Sequence, residues 1–499
     1  MATPSRAPIV DAIGSVSSDD WLAFLRKQRW FAAKGASPAN ARTAGIVVLP
    51  WGSDAYAIAR LAVDVGDKTA TYQVPLALTR DTSTVPDQSI VRRNADGTTL
   101  LDAVQDTGFR TGLIDALSLG ATAEGADGLR WIAEPTDASP PPDTTSRVGS
   151  AEQSNTSIIV GEQAILKLFR TLQPGVQPDV EVTRFLTTRA GFENAPRLLA
   201  TMTLEQGGAA TTAGMMQQYL PGSTDAWSYV LERSASYFSA PARTEPANDF
   251  LRDAKRLGEV TRGMHDALAS SDDEPDFAPE HVDGDDLDRW AHRTQQSVRD
   301  SLALLERQIA TLPKERLGEA QALVQRRDHY VGWVNEICDA LGDDLGLRTR
   351  THGDYHLGQV LRTRDGDFMV IDFEGEPSRS LDERREKTSP LRDVAGMLRS
   401  FAYAAATLAM NAKNADAATR ELRAARWERD VRAAYLAGYL AGDPDESGAL
   451  PEDEEHVRQL ITLFETEKAF YELAYELNNR PAWAWIPMRG ISKLFTKAR

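Results

Sequence analysis

Cysteine is nearly absent from this chain of 499 residues: the single Cys338 cannot close an intramolecular disulfide, and no Cys/His cluster stands at zinc-finger spacing. A disulfide-stapled secreted domain is excluded, and a reducing, cytoplasmic compartment is expected. Long apolar runs are also missing. The most apolar stretch, Phe401 to Met410, is about half the ~20 residues of a membrane span and reads as a buried helix. The first twenty residues carry no apolar region after their basic residue, so no targeting segment and no membrane association is expected. Positive charge is in deficit, with 56 Lys+Arg against 73 Asp+Glu and a net charge of -17, which repels a phosphate backbone and excludes general nucleic-acid binding. No G-x-x-x-x-G-K-[ST] occurs, which excludes a P-loop nucleotide site.

What is present suffices for a large core. Hydrophobic residues make up 42% and charged residues 26%, and at roughly 150 residues per domain the length predicts about three folded units. Residues 44–80 alternate β-branched and apolar stretches with the turn formers Gly52, Asp54, Gly66 and Asp67, an antiparallel meander. Asp19 and Asp20 place an acidic cap ahead of a short amphipathic helix through Trp21, Phe24 and Leu25. Residues 1–110 thus read as a small α+β unit. After the Pro-rich connector 138–146, a hairpin is expected over 157–169 with its turn at Gly161 and Glu162, then a helix from Asp179 to Arg189 and a strand ending at Tyr219 to Gly222. This makes 111–222 a β-rich part. From Trp227 onward 3.6-residue periodicity dominates (251–268, 287–309, 427–440), so 223–499 is expected to be mainly helical and the chain α+β. Acidic stretches around 272–288 and 443–455 read as solvated loops.

The chemistry concentrates in His352-Gly-Asp-Tyr-His-Leu-Gly-Gln359 and the following Phe368-Met-Val-Ile-Asp372-Phe-Glu374. Phosphoryl transfer needs a carboxylate to orient the acceptor hydroxyl and oxygen ligands to hold Mg²⁺ on the nucleotide phosphates. Asp354 and Gln359 have the five-residue spacing of a kinase catalytic loop, and Asp372 opens the place of Asp-Phe-Gly on the next hairpin. Asp354 is assigned as base, and Gln359 and Asp372 as Mg²⁺ ligands. Ala164-Ile-Leu-Lys167 stands where a phosphate-binding lysine belongs on an inner strand, with Glu181 on the next helix to hold it. Ser154, Asn155, Thr156 and Ser157, after Gln153, replace a glycine-rich loop with hydroxyls and amides as the cradle for ATP. A metal-hydrolase reading of His352 and His356, which flank Asp354, lacks a third ligand.

Together with Ser389-Pro-Leu-Arg-Asp-Val-Ala-Gly-Met-Leu-Arg-Ser400, Glu152–Ser157, Pro178–Val182 and Lys468-Ala-Phe-Tyr-Glu-Leu-Ala-Tyr-Glu476, these segments resemble the maltokinases, bacterial members of the aminoglycoside-phosphotransferase-like branch of the kinase fold. The likeness covers most of the chain from about residue 150, and Arg29-Trp-Phe-Ala32 resembles the family's N-terminal cap. It implies a bilobal protein-kinase-like fold, with a cap unit, a β-rich N-lobe and a helical C-lobe. It also implies ATP-dependent phosphorylation of the anomeric hydroxyl of maltose, feeding α-glucan synthesis, with trehalose synthase as partner. Adenine is expected to meet backbone between Met216 and Tyr219, including Gln217. Lys468, Tyr471 and Tyr475 fall at i, i+3 and i+7 on one helix face. The resemblance assigns that face to the sugar, and Glu374, His352 and His356 are placed with it. Arg384, Arg385, Lys387 and Arg392 are read as braces of the segment after Asp372. Two alternatives stand beside maltose: an amino-sugar (glucosamine) or aminoglycoside kinase, favoured by the many carboxylates, and a nucleotide-binding scaffold without turnover. The intact set Lys167, Asp354, Gln359 and Asp372 opposes the scaffold.

Overall fold

A computed structural model describes residues 8–31, 33, 38–52, 55–83, 85–138, 145–149, 154–241, 244, 246–412, 416–442 and 448–495. The chain forms two compact units, Met1–Thr188 with Pro196–Pro221, and Arg189–Ala195 with Gly222–Arg499.

The first unit holds two antiparallel sheets. One has the order β1-β2-β3-β5-β4, from β1 (Ala39–Val48), β2 (Tyr56–Val65), β3 (Lys68–Thr79), β4 (Ile90–Arg93) and β5 (Thr99–Asp102). The meander expected over 44–80 is there: Val65 pairs Lys68 and Tyr56 pairs Ala77 across a turn whose Gly66 has φ +58°. The helices α1 (Pro8–Gly14) and α2 (Ser18–Lys27) pack against this sheet. The cap of α2 is Ser17, in a reciprocal capping box with Asp20, so Asp19 and Asp20 sit in the first turn rather than at the cap itself. Trp21, Phe24 and Leu25 are buried against Trp30, Phe31 and Tyr72. Ala32 lies outside the described residues.

The second sheet runs β6-β7-β12-β13-β10-β9-β8, with β6 (Ala121–Glu124), β7 (Arg130–Pro135), β8 (Ser146–Val148), β9 (Asn155–Val160), β10 (Ala164–Phe169), β12 (Leu198–Gln206) and β13 (Ala209–Gln218). Short β11 (Thr171–Leu172) continues β10 and pairs with β3 of the first sheet. One apolar core joins both: Val47, Ile58, Ala77 and Leu101 cluster with Trp131, Ile158, Leu166 and Met202 around α3 (Thr107–Leu119). Arg170 completes the joint by pairing with Asp102 at 2.9 Å, both side chains nearly inaccessible, and by lying 4.7 Å over the Trp30 ring.

The second unit is mainly helical, as its periodicity predicts. Its helices are α5 (Ala226–Ser239), α6 (Leu251–Leu268), α7 (Gly284–Gln308), α8 (Leu317–Gln325), α9 (Arg327–Ala340), α11 (Leu391–Asn411) and α12 (Ala417–Tyr439), then Glu454–Asn479 and Trp485–Leu494; α4 (Pro178–Arg184) belongs to the first unit and α10 (Leu381–Arg385) is short. A three-stranded sheet carries β14 (Thr224–Asp225), β17 (Val360–Arg362) and β18 (Phe368–Val370), and β15 (Glu280–His281) pairs β16 (Leu347–Arg348). The apolar run 401–410 lies in α11, where Phe401, Ala404, Ala405 and Leu408 are buried. No described helix is long and apolar enough to cross a membrane. The acidic stretch 272–288 is less of a loop than its composition implied. Asp283 caps α7 in a box with Asp286, and Asp286 is buried, accepting from Arg348 at 2.9 Å. Residues 443–447 of the other acidic stretch lie outside the described residues.

Candidate active site

The loop 352–359 is built by the helix behind it. Along α11, Asp393, Gly396 and Ser400 recur at i, i+3 and i+7 on one face, and each serves the loop. Asp393 accepts from the amides of His352 (2.7 Å) and Gly353 (3.0 Å), and Ser400 Oγ accepts from the Leu357 amide at 3.1 Å. At Gly396 an added Cβ would lie 2.6 Å from the Tyr355 carbonyl oxygen, so only glycine permits this approach. Burial opposes the charge on Asp393, but the bonds and charges of His265 and His352 outweigh it and hold its pKa below the ordinary carboxylate value. His265 Nε2 lies 3.2 Å from Asp393 and its Nδ1 lies 2.9 Å from the Tyr439 hydroxyl. Tyr355, where an apolar residue was more expected, is buried with its hydroxyl 3.0 Å from Thr261 Oγ1. These supports went unassigned in the sequence; the polar and small residues at helical spacing in an otherwise apolar helix were the available signal.

The hairpin β17–β18 brings the backbone of Gln359 beside that of Ile371. Val360 pairs with Val370, and the Ile371 amide donates to the Gln359 carbonyl at 2.9 Å, which places Gln359 across from the residue preceding Asp372. Asp372 has φ +69°, a left-handed conformation that a non-glycine residue holds only under constraint and that concentrates at functional positions. An all-oxygen pair of one amide and one carboxylate suits Mg²⁺, so the residues present fit that ion.

Sequence-assigned sugar residues separate into two groups. Asp354 and Lys468 meet, with Nζ 3.2 Å from Oδ1, and both line a cavity of about 260 Å³ with Tyr471. Burial opposes the charge on Lys468, yet Asp354, Glu376 and Glu472 together raise its pKa above the ordinary value. Its ammonium also lies 5.0 Å from the Tyr471 ring centre. His356 Nδ1 accepts from the Gly358 amide at 3.0 Å and Nε2 lies 3.9 Å from Asp354 Oδ2. Burial depresses its pKa against the pull of Asp354, so the ring is neutral at pH 7. Two assignments are corrected. His352 is buried, with Nε2 3.0 Å from the Ile371 carbonyl and Nδ1 accepting from the Asp354 amide at 3.4 Å, so it braces the loop and does not line the cavity. Tyr475 is 46% exposed and lies beneath Arg480, one turn beyond the cavity. Glu374 presents its carbonyl to Arg384 at 3.0 Å.

Besides Asp393, sequence reading missed two further carboxylates of the cavity, Glu376 and Glu467, although both stood in quoted or adjacent segments. Glu376 accepts from Ser378 at 2.9 Å and Arg379 at 3.2 Å and is hydrogen-bonded to Tyr471. Burial works against its ionisation, but Lys468 and Arg379 prevail and keep its pKa below the ordinary value. Glu467 pairs with Arg392 at 2.5 Å. Arg385 and Lys387 reach Asp276 and Glu280, as braces do.

In the first unit Lys167 and Ser157 are register partners on β10 and β9. Lys167 Nζ lies 2.9 Å from Asp179 Oδ2, both buried, so Asp179 joins the assigned Glu181 on α4 as a residue to reckon with. The expected cradle is mostly strand: Asn155, Thr156 and Ser157 belong to β9, Thr156 Oγ1 accepts from Arg170 at 2.8 Å, and only Ser154 precedes the strand. Gln153 lies outside the described residues. The adenine contact needs revision at Tyr219, whose amide donates to the Gln163 carbonyl at 2.8 Å, as the Gln218 amide does to Arg197 at 2.9 Å; Gln217 is buried in β13.

Comparison with known proteins places this site in context. The family model for the maltokinase N-terminal cap domain matches residues 24–106. A glucosamine kinase of Streptacidiphilus jiangxiensis is 26% identical over 359 residues, 71% of this chain and 74% of that protein. Another, of Mycolicibacterium smegmatis, is 26% identical over 341 residues, 68% and 76% of the two chains. A solved glucosamine kinase in complex with glucosamine, ADP and inorganic phosphate superposes over 99% of this chain and 100% of its own, with TM-score 0.69 and 22% identity. These relatives are glucosamine kinases, which overturns the maltose expectation. The trehalose-synthase partner rested on maltose as substrate and is dropped with it.

Proposed function

We propose that this ATP-dependent phosphotransferase with an alcohol acceptor, whose residues 24–106 match the maltokinase cap domain, takes as its acceptor an amino sugar, glucosamine. The observation that carries this reading is the cavity beside Asp354. At about 260 Å³ it is below the ~300 Å³ at which ligand pockets usually begin, a space for one sugar ring rather than two. Asp354, Glu376 and Glu467 line it. Each is anchored by a cation, Lys468, Arg379 or Arg392, and the oxygens left over can accept from the ammonium and hydroxyl groups of an amino sugar. The names of the two relatives support the same choice.

In this reading Asp354 accepts the proton of the attacking hydroxyl, and Lys468 fixes one oxygen of that carboxylate so that the other faces the acceptor. Tyr471, Ser378 and Arg379 hold Glu376 in one orientation toward the ammonium group. Gln359 and Asp372 would hold Mg²⁺, which when bound offsets negative charge on the transferring phosphoryl group. Lys167, oriented by Asp179, would contact the nucleotide phosphates. ADP release from ATP measured against glucosamine, glucose, N-acetylglucosamine, kanamycin and maltose tests the proposal. Preference for glucosamine over glucose and N-acetylglucosamine is expected; equal turnover of all three sugars would remove the amine from the account.

A further inference from the structure

One face of the helix Glu454–Asn479 carries a row of charged residues at i, i+3, i+7 and i+11: Glu465, Lys468, Glu472 and Glu476. Each glutamate of the row has its own arginine. Arg432 makes two parallel 2.7 Å bonds to Glu465, and Arg480 donates to Glu476 at 3.0 and 2.6 Å. Arg399 donates to one oxygen of Glu472 from Nε at 3.0 Å and from a terminal nitrogen at 2.7 Å. Lys468, the one cation of the row, reaches out to Asp354, with Nζ 3.2 Å from Oδ1.

That division is not what the spacing alone produces. Lys468 and Glu472 stand one turn apart, the separation at which lysine and glutamate pair along a helix. Glu472 is close enough to act on the lysine: against the cost of burial, the fields of Asp354, Glu376 and Glu472 and the hydrogen bond to Asp354 raise the Lys468 pKa. What keeps Glu472 from capturing Lys468 is Arg399, a buried residue of α11, the helix whose Asp393, Gly396 and Ser400 serve the loop 352–359. Arg399 has room there because residue 490, on the helix Trp485–Leu494, is glycine; a Cβ at that position would collide with the guanidinium. Removing one partner of a buried pair leaves an uncompensated charge at high cost, and Lys468 is the cation one turn away that can neutralise Glu472. On the reading that Lys468 fixes Asp354, we propose that Arg399 is a positioning residue for phosphoryl transfer: by occupying Glu472 it leaves Lys468 to hold Asp354.

Steady-state kinetics of the full chain provide the test, run with whichever acceptor turns over so that a failure of glucosamine leaves the comparison intact. Arg399→Gln is expected to lower kcat about tenfold or more with KM for ATP little changed, and Glu472→Gln to cost much less, because no carboxylate then competes for Lys468. The double variant Arg399→Gln/Glu472→Gln is expected to recover kcat to within about threefold of the parent. Both single variants leave one buried charge without its partner, so a merely structural role would lower kcat in both alike and in step with the thermal midpoint. Equal losses in the two single variants, or a double variant no faster than Arg399→Gln, overturn the assignment. Should Arg399→Gln not fold, Gly490→Ala displaces the same guanidinium without removing a charge; Glu472→Gln added to it is expected to restore kcat, and a failure to do so overturns the assignment equally. Lys468→Met separates the two claims. If it lowers kcat and Arg399→Gln does not, the role of Arg399 fails alone; if it leaves kcat unchanged, the role of Lys468 fails and takes that of Arg399 with it.

Discussion

At the scale of single residues, charge placement decides the chemistry. Asp354→Asn keeps the shape and the reach of Lys468 but removes the proton acceptor, and kcat is expected to fall about 10²–10⁴-fold while the far-UV spectrum is unchanged. Glu376→Gln tests recognition rather than chemistry. With its carboxylate held by Tyr471, Ser378 and Arg379, its loss should raise KM for the amino sugar at least tenfold and leave kcat within a few-fold, as steady-state kinetics will show. The residues proposed for phosphoryl transfer were the easiest to nominate because the chemistry prescribes both type and spacing: Asp354, Gln359 and Asp372 are close in sequence, and the hairpin β17–β18 joins the last two. The lining of the cavity was only half legible. Lys468 and Tyr471 sit on the expected helix face, but nothing in the i, i+3, i+7 pattern says where the cavity ends, so Tyr475 was included and Glu376 passed over. His352 misled for a related reason, since a histidine beside a carboxylate reads alike whether its ring lines a cavity or lies beneath it.

At the scale of elements, α11 and the hairpin β17–β18 hold the site in register. Replacing Gly396 by Ala forces its Cβ against the Tyr355 carbonyl, which is expected to cost about 1–3 kcal/mol in thermal unfolding and to lower kcat by displacing the loop. The hairpin is pinned by Asp367, which accepts from Arg256 at 2.9 Å twice over and from Asn194 at 3.1 Å. The Arg256 hydrogen bonds, outweighing a modest burial penalty, lower the Asp367 pKa from 3.8 to about 2. A depressed carboxylate contributes stability above its unfolded value that is lost as pH falls toward the folded one. The parent's stability advantage over Asp367→Asn should therefore be full above pH 4 and shrink between 3.8 and about 2 in melting curves; a gap that stays constant through that window would contradict the pairing. Strand and helix periods gave most of these elements directly, with α6 matching its expected span of 251–268. Their tertiary roles were not legible, because a sequence separation of 41 residues, as between His352 and Asp393, carries no periodic signature.

At the scale of the whole molecule, the region that matches the maltokinase cap shares an apolar core with the second sheet of the first unit. Val47, Ile58 and Leu101 bury themselves among Trp131, Ile158 and Met202, and Gln73 donates to the Ala213 carbonyl at 2.8 Å. Asp102→Ala leaves the Arg170 charge buried without its carboxylate and is expected to destabilise the first unit by about 3–5 kcal/mol in denaturant unfolding. Composition could divide the chain at Pro-rich and acidic segments, but it gave no hint that β11 would cross to the cap sheet, since two residues leave no pattern. The central claim is phosphoryl transfer to an amino sugar by Asp354, and phosphorus NMR of a reaction of ATP, Mg²⁺ and glucosamine tests it most directly. A sugar phosphate ester should accumulate with the parent chain and be absent with Asp354→Asn. No ester from glucosamine, or an undiminished one from the variant, would contradict the account.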